Sequence, residues 1–256
     1  MKNNNKKSLS SACILVIGNE VLSGRTEDKN INFIAKRCDN IGVSVNEVRI
    51  IPDDKETIKN TVLECYKKFD YIFTTGGIGP THDDITTECV ASAFNLDVEI
   101  NPEALKRLKD HYKKSNVELN DARIKMAKIP KGAKLIDNPV SSAPGFIVEN
   151  IFVLPGVPKI LQAMFDGIED KIRGATNIVS ETIIVHSAEG EIAKLLENIQ
   201  EKYLNISIGS YPYFRPPEVG TNIVLRSTDQ NLINEATIAI CQKLKEYKIY
   251  YEKTKV

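Results

Sequence analysis

Residues 71–84 read YIFTTGGIGPTHDD, and this stretch decides the fold of the larger part of the chain. Its first residues, Tyr71–Thr74, are aromatic and β-branched side chains typical of a buried strand. The glycines that follow are Gly76, Gly77 and Gly79. We expect a helix to begin near Asp83. Glycines before a helix N-terminus leave the backbone N–H groups unobstructed by side chains, and such groups bind anions. The stretch therefore predicts an anion site. The alternative is a tight strand-to-helix turn that needs glycine for its backbone alone.

Hydroxyl and carboxylate side chains accompany the glycines. Thr75 and Thr81 offer hydroxyl groups to a phosphate, while Asp83 and Asp84 lie where a helix dipole favours negative charge. Carboxylates repel a phosphate, and a divalent cation between them removes the conflict. We therefore expect Mg²⁺, Mn²⁺ or Co²⁺ here, with Asp84 as the preferred ligand and Asp83 as the other candidate. The alternative is that both aspartates are ordinary charges at a helix N-terminus.

Two further strands precede this loop, and a helical pattern follows each of them. The strands, Ala12–Ile17 and Val43–Ile51, give the order β-α-β-α-β. This order predicts a mostly parallel sheet with helices on both faces, which is a three-layer α/β sandwich. Ligands bind such sheets at the carboxyl edge, so we expect the loops Gly18–Gly24, Pro52–Asp54 and Gly76–Asp84 to form one pocket. The first loop would contribute Gly18 and, as a second carboxylate, Glu20.

Two later segments add candidate contacts. Residues 138–145 read NPVSSAPG, and small side chains such as Ser142 permit close approach of a ligand to the backbone. Leu154–Pro158 is a second anion-capable helix start, with Pro155 and Gly156 as its candidates. Each segment by itself also fits an ordinary turn.

The pattern of elements changes near residue 175. Before it, residues 11–175 form the predicted α/β domain, including a hairpin over Phe146–Val153 that turns at Glu149 and Asn150. After it, residues 176–256 read β-α-β-β-α, which predicts a small ferredoxin-like α+β domain. In this reading Tyr211–Pro217 is an aromatic loop between two strands. Residues 1–10 are interpreted as a disordered tail.

Composition limits the possible partners and the compartment. The chain of 256 residues has 34 Lys and Arg against 34 Asp and Glu, so we expect no nucleic-acid partner. No apolar segment is long enough to span a bilayer, so we also expect no membrane partner. Five cysteines without a C-x-x-C pair are interpreted as buried thiols of a reducing compartment, which predicts a cytoplasmic protein.

The motifs above, in this order over residues 12 to about 173, resemble the CinA-like branch of the molybdopterin-binding (MoaB/Mog-like) superfamily. The second half resembles the small domain that follows in CinA-like proteins and in the molybdopterin-binding-like region of eukaryotic FAD synthases, mainly through Ser207–Pro212. The chain departs from the pattern of many CinA-like proteins at Ser141-Ser142, where they carry Gly-Thr, and at Ile160-Leu161, where they carry Glu.

The resemblance implies a chemistry. In the superfamily, the residues that match Asp84 and Asp53 are implicated in handling metal and pyrophosphate, so both are candidate catalytic residues here. CinA-like relatives are associated with metal-dependent cleavage of nucleotide pyrophosphates such as ADP-ribose or FAD. We therefore expect a nucleotide pyrophosphatase in which a cation activates the attacking water. The family also implies a homo-oligomer.

Two other hypotheses stay open at this stage. One is adenylylation of molybdopterin during synthesis of the molybdenum cofactor, as in the Mog-like branch. The other is a non-catalytic module that binds a phosphorylated pterin or nucleotide. In all three cases the partner is a small molecule that carries phosphate.

Overall fold

The computed structural model describes residues 10–172, 178–216 and 218–253. The chain divides into two compact units, one on each side of residues 173–177. The predicted tail lies outside the described residues except for Ser10, which begins the first strand. The predicted boundary near residue 175 also lies outside them.

The first unit is built on a six-stranded sheet. Its elements are β1 (Ser10–Ile17), α1 (Asn19–Leu22), α2 (Asn30–Asn40), β2 (Val43–Ile51), α3 (Lys55–Lys68), β3 (Tyr71–Thr75), α4 (Thr86–Ala93), β4 (Val98–Ile100), α5 (Pro102–Lys114), α6 (Asp121–Ile124), β5 (Lys128–Pro130), β6 (Lys134–Ile136), β7 (Gly145–Val148), β8 (Ile151–Leu154) and α7 (Pro158–Asp166). The strand order is β2-β1-β3-β8-β7-β6. The first four strands are parallel to one another, and β7 runs antiparallel to both of its neighbours, β8 and β6.

Strand β1 divides the core into two layers because its side chains alternate between the faces of the sheet. Cys13, Leu15 and Ile17 belong to one buried cluster, which includes residues of α3, α4 and α5. Ala12, Ile14 and Val16 belong to the other, which includes residues of α2 and α7. Helices therefore cover both faces, and the predicted three-layer α/β sandwich is confirmed.

Side-chain caps fix the starts of α5 and α3. Asn101 accepts from the backbone N–H groups of Glu103 and Ala104 at 3.0 Å each and so starts α5. Asp54 caps α3 by accepting from the Thr57 N–H at 2.9 Å. Hydrogen bonds from the Thr57 hydroxyl and amide hold the pKa of Asp54 below its usual value. Asp53 is thereby left for another contact.

Two stretches of the first unit differ from the prediction. The helix predicted to run through Ile172 ends at Asp166, and a 3₁₀ turn over Glu169–Lys171 follows it. Gly167 lies at the end of α7 and lowers the propensity to continue the helix. Strands β4 and β5, which pair in a separate two-stranded sheet, were also not expected. At three residues each, they are too short to produce a periodic pattern.

The second unit consists of β9 (Val179–Val185), α8 (Glu189–Lys202), β10 (Ser207–Arg215), β11 (Glu218–Ser227), α9 (Gln230–Glu246) and β12 (Tyr251–Lys253). Its antiparallel sheet has the order β10-β11-β9-β12, the βαββαβ arrangement of ferredoxin-like domains. The short strand β12 was missing from the prediction.

The aromatic loop predicted over Tyr211–Pro217 was wrong. Strand β10 continues to Arg215, and Pro212 pairs with Thr221 inside the hairpin. Proline is tolerated here because β10 is an edge strand, where a ladder needs no N–H on the outer side. Residue 217 lies outside the described residues.

Other expectations concern cysteines and membrane spans. All five cysteines are buried and free, as predicted for structural thiols. In the part of the chain that the structure describes, no helix combines the length and apolar character needed to cross a bilayer.

A pH-dependent clamp joins the starts of β1 and β3. The Asp70 carboxylate accepts from the Ser11 N–H and hydroxyl, both at 2.7 Å, and these bonds hold the pKa of Asp70 below its usual value. A lowered pKa stabilises the folded state above the ordinary value of about 3.9, and this stabilisation is lost as pH falls through the folded value. At pH 7, Asp70→Asn should therefore cost about 1 kcal/mol of unfolding free energy, discounted for solvent screening.

Urea denaturation at pH 7 and near pH 3 measures this difference. The gap between wild type and Asp70→Asn should shrink at the lower pH. Asp97→Asn changes an exposed aspartate outside the clamp and serves as the matched control. An equal gap at both pH values would contradict the clamp.

Candidate functional site

The carboxyl ends of the four parallel strands meet at one edge of the sheet. Ile17 pairs with Ile51, and Thr75 pairs with both Val16 and Leu154. The predicted convergence of loops at this edge is therefore confirmed for the loops after β1, β2 and β3, and the loop after β8 joins them. Backbone bonds continue past the strands, from Gly18 N to the Ile51 oxygen and from Gly76 N to the Leu154 oxygen, each 3.1 Å.

The glycine loop leaves no space for side chains at two positions. Gly76 has φ +103°, and a Cβ atom there would lie 2.2 Å from the carbonyl oxygen of Ile17. Gly77 has φ +68°, and its Cβ would lie 2.0 Å from the Thr86 hydroxyl. A Cβ on Gly156 would be 3.4 Å from the Gly76 Cα, so the loops after β1, β3 and β8 are in close contact.

The prediction that a helix begins near Asp83 was wrong, since α4 begins at Thr86. Residues 81–84 form a separate turn instead, because the Asp84 carboxylate accepts from the Thr81 N–H at 2.8 Å. The Thr81 hydroxyl lies within hydrogen-bond reach of both the Asp83 and the Asp84 carboxylates. One hydroxyl proton serves only one of them at a time, so two carboxylates remain close together with unused acceptor capacity.

The charge state of Asp83 follows from this turn. The Thr81 hydroxyl bond is the main cause that lowers the pKa of Asp83, and the charges of His82 and Lys125 act in the same direction. Asp83 is therefore ionised at neutral pH. An exposed carboxylate here attracts a cation and repels an unneutralised phosphate.

Lys125 holds the turn from a distant part of the chain. Its ammonium group donates to the carbonyl oxygens of Thr81 at 2.5 Å and of Asp84 at 2.7 Å. Together with Gly79, Asp84 and Glu88, it lines an open cavity of about 310 Å³. Lys125 was not predicted from the sequence, because a lone lysine has no pattern that distinguishes it from a surface residue.

A second open cavity, of about 330 Å³, lies at the start of the glycine loop. Its lining includes Glu20, Asn30, Thr75 and Gly156, and we call it the acidic cavity because Glu27 and Asp28 also line it. Asp53 is bonded to the loop after β1, where its carboxylate accepts from the Asn19 N–H at 2.8 Å. Asp53 and Asp84 are thus bonded to different loops.

Ser142 and Pro155 lie in the two remaining candidate segments. Ser142 has φ +62°, which is unusual for a residue with a side chain, and its hydroxyl lies 3.3 Å from the His111 Nδ1 of α5. Its loop leads into Gly145, whose strand β7 runs antiparallel to β8, so the loop lies at the same carboxyl edge. Pro155 follows β8 and precedes Gly156 in the loop against Gly76.

Buried polar atoms without partners are concentrated at this edge. Among the described residues they are Asn30 Oδ1, Thr74 Oγ1, Thr86 Oγ1, Glu88 Oε2 and Asn150 Oδ1. All except Asn150 belong to α2, to the end of β3 or to the start of α4. A buried unsatisfied polar group costs about 1–3 kcal/mol, so such groups mark places where a ligand or water is expected to complete the bonding.

The donor set fits one kind of metal site. No cluster of three or more His, Cys, Asp or Glu side chains suited to a metal occurs in residues 10–172, 178–216 and 218–253. Asp83 and Asp84 nevertheless supply two adjacent carboxylates. Mg²⁺ is commonly held by one or two carboxylates, several waters and the phosphates of a substrate, so the pair suits a cation that arrives with a phosphorylated ligand.

The fold and the edge together define a class of protein: a three-layer α/β domain with a glycine-rich loop at the carboxyl edge of its sheet. Residues 13–173 match the family described as "Probable molybdopterin binding domain", and residues 177–253 match "FAD synthase, middle domain". The chain therefore belongs to the molybdopterin-binding domain family, and the resemblance stated from the motifs is confirmed.

Individual relatives agree with this assignment. A protein of Pyrococcus abyssi is 34% identical over 87% of this chain and 92% of its own length. The crystal structure of CinA from Thermoplasma acidophilum, a protein described as of unknown function, is 34% identical over 64% of this chain and 99% of that one, with a TM-score of 0.59. A probable FAD synthase of Caenorhabditis briggsae is 29% identical over 94% of this chain, which spans 51% of that protein.

The close approach at Gly76 yields a first prediction for the site. Gly76→Ala should cost about 3 kcal/mol or more of unfolding free energy, because it adds a steric overlap to an unfavourable φ. Gly132 has φ +81°, and a Cβ atom added there would have no heavy atom within 4 Å, so Gly132→Ala should cost only about 1 kcal/mol. Urea denaturation of both variants checks the difference, and equal losses would contradict the overlap.

The Lys125 contact yields a second prediction. Lys125→Met should speed amide hydrogen exchange in residues 81–84 by roughly tenfold, because it removes the bonds that hold the turn. Lys128→Met is the matched control, since Lys128 lines the same cavity and donates no bond to Thr81 or Asp84. Mass spectrometry of exchanged peptides measures both variants. Unchanged exchange in Lys125→Met would mean that the turn holds itself.

Proposed function

We propose that this protein is a metal-dependent nucleotide pyrophosphatase that cleaves a pyrophosphate of the ADP-ribose or FAD type at the glycine loop. The observation that supports it most is the loop itself: its backbone is packed too tightly for side chains, and it lies beside two adjacent carboxylates and the unsatisfied buried hydroxyls of Thr74 and Thr86. Each of these features suits a ligand that is both anionic and accompanied by a cation.

Separate groups of residues would bind the pyrophosphate and fix the position of the carboxylates. The N–H groups of the loop at Gly77 and Gly79 would bind the pyrophosphate oxygens without a charged side chain, while the Gly76 N–H is bonded to the Leu154 oxygen and holds the loop in place. Thr75, Thr81 and Gly18 border these oxygens, and Gly156 with Pro155 closes the opposite side of the loop. Lys125 fixes the turn that presents the carboxylates, so that the ligand meets a site already in position.

The carboxylates of Asp83 and Asp84 would hold the divalent cation, Mg²⁺, Mn²⁺ or Co²⁺, and Asp53 and Glu20 would add negative charge on the neighbouring loop. When bound, such a cation acts as a Lewis acid and lowers the pKa of water. Asp84 is the preferred residue because its carboxylate both closes the turn and lines the cavity beside Gly79.

Adenylylation of a molybdopterin is the second candidate, and the match of residues 13–173 to the molybdopterin-binding family favours it. The same loop would then bind the triphosphate of ATP. The reaction would release inorganic pyrophosphate, whereas the hydrolase would cleave the pyrophosphate linkage of its substrate with water. A small-molecule pterin or nucleotide is the ligand in either case, and a homo-oligomer remains our expectation for the assembly.

The test is turnover of ADP-ribose and FAD by Asp84→Asn with Mg²⁺, Mn²⁺ or Co²⁺. The variant keeps an acceptor for the Thr81 N–H but loses its charge, so we expect kcat to fall about 100-fold or more. Asp229→Asn is the matched control, because Asp229 likewise accepts from backbone N–H groups, at the start of α9. Mass spectrometry of the nucleoside monophosphate products measures the rates.

Three outcomes would contradict the proposal. Wild-type turnover in Asp84→Asn would remove the role of the carboxylate. Pyrophosphate release from ATP only in the presence of molybdopterin would favour the adenylylation reaction. Tight binding of these ligands without product under all three metals would favour a module that binds without catalysis.

A further inference from the structure

Asn30 is a buried amide with one half of its bonding unused. Its side chain is 2% exposed, and its Nδ2 donates to the Gly156 carbonyl at 2.8 Å. This bond fixes the orientation of the amide, because a carbonyl can only accept from the nitrogen end. The atom left without a partner is therefore Oδ1, a hydrogen-bond acceptor.

Asn150 shows that the unused acceptor alone would not indicate a site. Its Nδ2 likewise donates to a carbonyl, that of Phe69, at 2.7 Å, and its Oδ1 is likewise unpartnered. Asn150 lies in the turn before β8, at the edge of the sheet opposite to the glycine loop. Asn30 differs because it lines the acidic cavity, and Thr75 and Gly156 line that cavity as well.

The chemistry of the acidic cavity selects its occupant. Carboxylates from Glu20, Glu27 and Asp28 line it, with Lys29 as a neighbouring cation. Carboxylates and the free amide oxygen of Asn30 only accept hydrogen bonds, so the cavity repels a phosphate and attracts groups that carry O–H or N–H donors. The cavity is open to solvent, so a ligand can lie against its lining without being enclosed.

We propose that the acidic cavity binds the ribose of a nucleotide, or the equivalent polyol chain, and that Asn30 Oδ1 accepts a hydrogen bond from one of its hydroxyl groups. Acidic side chains beside a phosphate loop are a common means of binding ribose hydroxyls. The cavity begins at Thr75, directly before Gly76. The hydroxyl groups of a sugar 5′-phosphate lie close to its phosphate, so a phosphate on the glycine loop would place them near this cavity. This inference rests on the proposed pyrophosphate site.

The polar part of the lining suits sugar hydroxyls, and the apolar side chains of Val16, Ile17, Val21 and Pro158 can contact the carbon atoms of the sugar. A hydroxyl donates to a carboxylate and accepts from a threonine hydroxyl or a lysine, and the cavity offers both kinds of group through Glu20, Thr75 and Lys29. Adenine presents ring nitrogens that accept hydrogen bonds on both sides of its amino group, and these would face carboxylate oxygens. Asn30 thus acts as a specificity residue for the sugar.

Equilibrium binding of ADP, 2′-deoxyADP and 3′-deoxyADP tests the inference, with inorganic pyrophosphate as the arm that lacks a sugar. Isothermal titration of the full chain with Mg²⁺ gives each Kd. Wild type should bind ADP about tenfold more tightly than at least one of the deoxy compounds, the value of one hydrogen bond. In Asn30→Ala this ratio should fall to about 1–2, and Asn150→Ala, the matched control, should retain it.

The ratio separates sugar recognition from a structural role. Loss of the Asn30 bond to Gly156 would weaken ADP and its deoxy forms alike, so that effect cancels. A wild-type ratio near 1, a ratio that survives in Asn30→Ala, or one lost equally in Asn150→Ala would each overturn the inference. If pyrophosphate still binds in those cases, the proposed function stands. If neither pyrophosphate nor ADP binds to wild type, the inference and the proposed function both fail. The wild-type ratio can be measured even if a variant does not fold.

Discussion

The contact between the backbones of Ile17 and Gly76 is the constraint on which the rest of the site depends. It arises from the parallel pairing of β1 with β3, which brings both strands to the same edge and aligns Val16 with Thr75. The chain leaves β3 at φ +103°, a conformation that glycine adopts without strain, and turns toward Gly156 beyond β8. Any side chain at Gly76 would separate strands that the buried core holds together. The register of β1 with β3, the packing of the core and the shape of the glycine loop therefore depend on one another.

The glycines of the loop carry no charge, and the charged side chains lie at its end and beside it. Lys125 is used for the carbonyl oxygens of Thr81 and Asp84, and its charge also helps to lower the pKa of Asp83. Asp83 stays ionised because the Thr81 hydroxyl and nearby positive charge lower the pKa of its carboxyl group. An anion that binds the loop must meet these carboxylates, which is why the proposed reaction needs a cation at this position.

Local patterns were sufficient for the longer strands, the first-unit sandwich and the glycine loop, because each depends on residues close together in sequence, whereas the three-residue strands β4, β5 and β12 were missed. The start of α4 was misplaced because the turn over residues 81–84 is fixed by Lys125, more than 40 positions away. Asn30 was missed for the same reason: its partner, Gly156, is 126 positions distant. A polar residue one position before the apolar stripe of α2 was the available signal, and without its partner it resembles any exposed helix start.

The glycine loop lies between two cavities of different chemistry. Backbone N–H groups bind phosphate oxygens whatever molecule carries them, so the loop cannot select a substrate. Selection must come from the groups that the phosphate positions on either side. On one side are the Asp84 and Lys125 side chains, suited to a cation and to charge; on the other is the acidic cavity with the free acceptor of Asn30. Substrate selection by this chain should therefore depend on the side chains of these two cavities and not on the loop.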